Sequence, residues 1–128
     1  MNLLGDSVEM LFAARCMERG YMVSKPLSDK IRYDLILDCN GVLKRIQIKS
    51  ASTTARGRFT FKLQSSTGGG YSEDDCDLMV LHPRETDYFV FLLPELFIGR
   101  ARFNLDPSKH QELINNFDIL CIPSLELK

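Results

Sequence analysis

The sequence predicts an α/β protein. Three observations carry this: an apolar stripe at helical spacing near the start, a series of short alternating or apolar strands through the middle, and an Asp-Pro helix signal near the end. The 128 residues suit one domain spanning 1–128. Composition is that of a globular chain, with 45% hydrophobic and 26% charged residues.

The elements follow in order. Leu4, Val8, Leu11, Phe12 and Arg15 recur at helical spacing, predicting a helix over 3–19 that stops at Gly20. Glu9 borders its buried face. Tyr21 to Val23 reads as a short strand, and the polar stretch after Lys25-Pro26 as a loop. Strands over 33–38 and 42–50 flank Cys39-Asn40-Gly41, whose Asn-Gly pair favours a hairpin turn with positive φ. On the second strand, Leu43, Arg45, Gln47 and Lys49 share one face, and Lys44, Ile46, Ile48 and Ser50 the other.

Ser52 to Gly57 reads as a loop, Arg58 to Leu63 as a strand, and Ser65 to Gly70 as a flexible segment. Leu78–Leu81 and Tyr88–Leu92 are apolar strands, and Pro94 ends the second. Arg102–Leu105 reads as an edge strand. Asp106 as N-cap and Pro107 at the first position then open a helix carrying Leu113, Ile114 and Phe117.

Composition narrows the function. No apolar run approaches the roughly 18 residues that cross a bilayer, and Asp6 and Glu9 interrupt any secretory signal, so no membrane role is expected. Cys16, Cys39, Cys76 and Cys121 are widely spaced, which argues against a zinc site and for free thiols in an intracellular compartment, the cytoplasm or an organelle. The net charge of −1 does not suggest nucleic acid. Its distribution does: no acid lies between Cys39 and Ser72, whereas Lys44, Arg45, Lys49, Arg56, Arg58 and Lys62 all do.

The candidate chemistry lies on the hairpin. Neighbouring strands lie about 5 Å apart, so Asp34, Gln47 and Lys49 can converge. Asp34 offers a hard anionic oxygen, Gln47 a neutral carbonyl and Ile48 a backbone carbonyl, a set suited to Mg²⁺, with Mn²⁺ as a substitute. Such an ion activates water for attack on a phosphodiester, and Lys49 beside it would position that water or stabilise the developing charge.

Glu9, Asp34 and Gln47-x-Lys49, with Tyr33-Asp34-Leu35-Ile36, Arg45-Ile46-Gln47-Ile48-Lys49-Ser50-Ala51, Asp77-Leu78-Met79-Val80 and Asp87-Tyr88-Phe89-Val90, resemble the PD-(D/E)XK nuclease core over about residues 5 to 95. The chain is most similar to the group I intron-encoded homing endonucleases of that superfamily, in which glutamine replaces the usual acid before x-Lys. The resemblance implies a mixed β-sheet flanked by helices, a metal on Asp34, a site completed by Gln47 and Lys49, and Glu9 reaching in from the helix. Two departures stand out: Tyr33 replaces the motif's proline, and the uncharged Gln47 leaves fewer anions for a second metal.

The expectation is a metal-dependent endodeoxyribonuclease acting on double-stranded or branched DNA. It would act as a homo-oligomer, a dimer or tetramer, because one chain supplies one site and a duplex has two strands. DNA contacts are expected from Lys44, Arg45, Arg56, Arg58, Lys62 and the glycine-rich segment. A Holliday junction resolvase and a DNA-binding module that has lost cleavage remain open alternatives. Ser28, the acids at 73–77, His82 and His110 read as turn, boundary and structural residues.

Overall fold

The computed structural model describes residues 3–50, 52–64 and 69–127. Helix α1 (Leu3–Glu18) buries Val8, Phe12 and Cys16, three residues four apart on one face. Cys16 continues the stripe where Arg15 was expected; Arg15 turns outward and pairs with Glu18 at 3.3 Å. The side chain of Leu4 lies outside the described residues. Gly20 ends the helix as expected, at φ +84°. The Gly20 N–H donates to Met17 O at 2.9 Å and the Tyr21 N–H to Cys16 O at 3.1 Å, a Schellman closure.

The main sheet has five strands in the order β1 (Met22–Ser24), β2 (Leu35–Cys39), β3 (Val42–Lys49), β6 (Leu78–Leu81) and β7 (Val90–Leu92). All pairs are antiparallel except β3 with β6, so the sheet is mixed, as the resemblance implied. Asn40 and Gly41, at φ 54° and 93°, make the expected tight turn between β2 and β3. Between β3 and β6 the chain makes β4 (Ser52–Ala55) and β5 (Arg58–Lys62). With β8 (Arg102–Leu105) these form a separate antiparallel sheet ordered β4-β5-β8, in which β8 is an edge.

Both faces of the main sheet are covered, which is why β6 is buried at all four positions. Leu78 and Val80 pack with α1, Phe89, Phe91 and Phe117. Met79 and Leu81 point the other way, into Phe61, Leu63, Phe97 and Phe103 under the second sheet. The aromatic residues near 88–91 are therefore core, as expected, with Phe89 and Phe91 buried.

Several expectations are corrected. Residues 52–55 are a strand rather than a loop; the turn is confined to Arg56 and Gly57, both at positive φ, and the polar side chains sit on a sheet edge where water can solvate them. Strand β7 starts at Val90 rather than Tyr88, and a four-residue helix α2 (Pro94–Phe97) follows it. No α-helix opens at Asp106. The Asp106 carboxylate accepts from the Ser108 N–H at 3.1 Å, closing a local turn, and the chain continues as short 3₁₀ turns at 111–113, 117–121 and 124–127. Asn115, at φ 51°, interrupts any longer helix and is tied to Phe89 by two bonds. Finally, Cys39 and Cys121 form a disulfide, Cα atoms 5.1 Å apart, because the 3₁₀ turn at 117–121 packs on β2; Cys16 and Cys76 are free and buried. The expected flexible segment at 65–68 and Ala51 lie outside the described residues.

Candidate active site

The site lies at the C-terminal end of β3. Strand β2 pairs with β3 from Leu35 opposite Ile46, and Asp34 sits one residue before that ladder begins. The Asp34 N–H donates to Ile46 O at 2.8 Å. Its carboxylate then accepts the next β3 donor, the Ile48 N–H, also at 2.8 Å. One oxygen of Asp34 is thus fixed by the backbone of the residue between Gln47 and Lys49.

Alternation along β3 sends Ile46 and Ile48 into the core beneath α1 and leaves Gln47 and Lys49 half-exposed on the other face, as the sequence implied. The Gln47 side-chain amide donates to the Ile48 carbonyl at 3.4 Å. The Lys49 ammonium lies 5.1 Å from the centre of the Tyr71 ring, a cation–π contact that steadies a flexible side chain. From α1, Glu9 reaches in and pairs with Lys25 at 3.5 Å.

These groups line one cleft of about 250 Å³, which brings together Asp6, Glu9, Asp34, Gln47, Ile48 and Lys49. All four residues expected to be catalytic are in it. Sequence reading missed Asp6, although it stands one helical turn before Glu9, and missed Lys25 and Tyr71, which reach the site from distant loops.

The electrostatics suit a cation. Burial, and then the charge of Asp34, push the Glu9 carboxyl above its ordinary value despite Lys25. Burial also pushes Asp34 up, against the lowering effects of the Ile48 N–H, Lys49 and Lys25. Two carboxylates are held at a cost that a hard divalent ion would relieve. Among the described residues no trio of His, Cys, Asp or Glu stands close enough to cage a metal. The available donor set is therefore one firmly placed carboxylate with neutral amide and carbonyl oxygens, which fits an ion that keeps much of its own water.

The basic residues expected to meet DNA separate into two groups. Lys44 is not on the surface: it is 1% exposed, on the inward face of β3, and donates to Ser124 Oγ at 3.3 Å. Burial lowers its pKa. Arg45 is committed to the structure. It bonds both oxygens of Asp77, at 3.2 and 3.1 Å, and the carbonyls of Asp74 and Glu73, at 2.7 and 3.1 Å. Alternation places Lys44 inward, and the acidic segment after Ser72 captures Arg45, so both leave the expected DNA face.

Arg56, Arg58 and Lys62 are exposed on the second sheet and its turn. Arg58 makes a 3.4 Å contact with Asp106. The other boundary residues behave as expected. Asp75 pairs with Arg32 at 2.9 Å, Ser28 accepts from the Lys30 N–H at 3.2 Å, and His82 Nε2 lies 3.0 Å from Thr86 O.

Comparison with known proteins bears on the fold and the family. The fold is similar to that of a bacterial homing endonuclease, I-Ssp6803I, with a TM-score of 0.75 at 24% identity, covering 91% of this chain and 88% of that one. No curated protein matches the sequence. The family described as PD-(D/E)XK endonuclease matches over residues 1–118, nearly the whole chain, and the chain belongs to that family.

Proposed function

We propose that this endonuclease is a divalent-metal-dependent, homing-type endodeoxyribonuclease that cuts duplex DNA as a homo-oligomer. The convergence of Glu9, Asp34, Gln47, Ile48 and Lys49 in one cleft carries the reading. Asp34, Gln47 and the Ile48 carbonyl would hold Mg²⁺ or Mn²⁺. The ion would supply Lewis acidity to the phosphate and lower the pKa of nearby water. Asp34 anchors the cleft because its second oxygen is fixed on the Ile48 N–H. Lys49 offers a cation where negative charge develops on the phosphate. Glu9 completes the negative wall from α1.

Exposed Arg56, Arg58 and Lys62 supply positive charge for the DNA backbone, and a second copy supplies the site for the second strand. Glutamine before x-Lys favours the homing type over a junction resolvase.

The test is to incubate the protein with linear, supercoiled and four-way-junction DNA, in Mg²⁺, in Mn²⁺ and in chelator. Site-restricted cutting of linear duplex that needs the metal is expected. Cutting confined to the junction would replace the reading with a resolvase. Binding without cutting under all conditions would leave a DNA-binding module.

A further inference from the structure

The three strands of the second sheet carry no acid, and Asp106, just after β8, meets the face only at Arg58. On β5, Phe59 and Phe61 point inward and Arg58, Thr60 and Lys62 outward. On β8, Phe103 and Leu105 point inward and Arg102 and Asn104 outward. Register pairs Thr60 with Asn104 and Lys62 with Arg102. Thr53, Thr60, Lys62, Gln64 and Arg102 line a shallow groove of about 460 Å³ on this face.

Two features of the face point outward to a ligand. Lys62 and Arg102 stand directly opposite each other, an arrangement that destabilises a sheet by like-charge repulsion. Among the described residues no carboxylate lies within ion-pair distance of either. At the centre, the Thr60 hydroxyl donates to Asn104 Oδ1 at 3.0 Å in full view of solvent. This bond orients the amide. It uses one lone pair of Oδ1 and leaves the second lone pair and both amide N–H groups facing outward.

We propose that the β4-β5-β8 face reads the major groove of the DNA substrate, with Asn104, oriented by Thr60, recognising an adenine. The reading rests on the endonuclease function proposed above. An outward acceptor beside an outward donor complements the N6 amino group and N7 of adenine, the edge that asparagine reads bidentately. The cations are spaced to flank it. Arg58 and Lys62 are four residues apart on β5, about 13 Å of strand at 3.3 Å per residue. That is close to the roughly 12 Å width of the major groove, so each lies over a phosphate rim while Thr60 and Asn104 lie over the bases. The Arg58 side chain is 67% exposed, so its Asp106 contact leaves the guanidinium open to a phosphate. The face also adjoins the chemistry, since Ser50 lines the catalytic cleft and Ser52 begins β4.

The experiment exposes the wild-type protein, with Mg²⁺, to duplexes randomised in their interior, and recovers the bound and the cut molecules separately. Wild type should enrich at least one fixed A·T pair. Asn104→Ala, on an exposed residue and checked by its melting temperature, should lose about tenfold or more of that preference while keeping the rest of the selected sequence. Thr60→Val should lose part of it. The Lys62→Ala/Arg102→Ala double variant should keep the preference and flatten the slope of log affinity against log salt by about 1.8, two phosphates' worth. An Asn104→Ala pool identical to the wild-type pool, or a wild-type pool without an A·T constraint, overturns the inference. Bound molecules showing the A·T pair without any cut ones would support it and remove the nuclease reading instead.

Discussion

The Asp34 carboxylate and the Ile48 backbone N–H share a 2.8 Å hydrogen bond that carries the β2–β3 ladder one step past its last paired residue. The acid proposed to bind the metal is thereby held by the strand that bears Gln47 and Lys49. Its position does not depend on loop conformation.

Asp34→Asn is therefore expected to abolish cleavage, retain DNA binding and raise the melting temperature of the metal-free protein at neutral pH. The sign follows from the raised pKa of Asp34. The folded state disfavours the carboxylate, and that penalty is complete above the folded pKa. It fades as pH falls toward the unfolded value near about 3.9. The gain from Asn should shrink with acidification. Thermal melts from pH 7 to pH 3 check this, and a destabilised variant at pH 7 would contradict it.

Lys49→Ala should lower cleavage by roughly 10²–10³ with little change in affinity for DNA. Lys49→Arg should recover only part, because a planar guanidinium differs in shape from the compact ammonium over Tyr71. Single-turnover rates and equilibrium binding separate the two effects. A loss below threefold would make Lys49 a surface charge.

Gln47→Glu sets metal affinity against anionic crowding. A further acid in the cleft that already holds Asp6, Glu9 and Asp34 should destabilise the metal-free fold, since Glu9 and Asp34 already carry raised pKa values. The same carboxylate should draw Mg²⁺ more strongly, shifting the activity midpoint to lower concentration. A Mg²⁺ titration reads this directly; coincident midpoints for the two proteins would remove Gln47 from the metal site.

Arg45→Ala should act on stability, at a cost of about 1–2 kcal/mol for a partly exposed, multiply bonded guanidinium, and leave the salt dependence of DNA binding unchanged. Burial alone would raise Asp77, but its bonds to the Arg45 side chain and backbone prevail and hold it low. Its contribution is present above about pH 3.9 and lost as pH falls through the lower folded value. Acid unfolding of Arg45→Ala should therefore show a shallower pH dependence.

The Cys39–Cys121 bond joins residues 82 apart in sequence. By the chain-entropy account, its loss should cost about 4.5 kcal/mol. Cys121→Ser or a reductant should lower the melting temperature, and thiol titration of the denatured protein should find two free groups before reduction and four after. Four before reduction would show the pair to be unbonded.

Much of this was legible in the sequence where the cause is local. Asn40-Gly41 encodes its own turn, Gly20 its own helix stop, and alternation along β3 puts Gln47 and Lys49 together without reference to the rest of the fold. The residues that share the candidate cleft are readable together because most of them lie on one hairpin. Longer-range competition hid the remainder. Asp106-Pro107 carries a good helix start, but Asp106 binds Ser108 and Asn115 is captured by Phe89, so the helix never propagates. Lys44 looks like a surface cation until Ser124, eighty residues on, covers it. Arg102, Tyr71 and Lys25 gave no signal because their partners are brought to them by the fold.

The bonds between Asn115 and Phe89 have a consequence for how the molecule behaves in a crowd. Strand β7 ends the five-stranded sheet, and an open margin is a template on which other chains stack. Here the Asn115 N–H donates to Phe89 O at 2.7 Å, its side-chain oxygen accepts the Phe89 N–H at 3.0 Å, and Ile114 bridges to Val90. The irregular C-terminal segment thus seals the beginning of β7 without itself becoming a strand that exposes a new margin. The opposite margin, β1, is three residues long and offers little to pair with. The fold thereby keeps a strongly apolar sheet from polymerising through its ends.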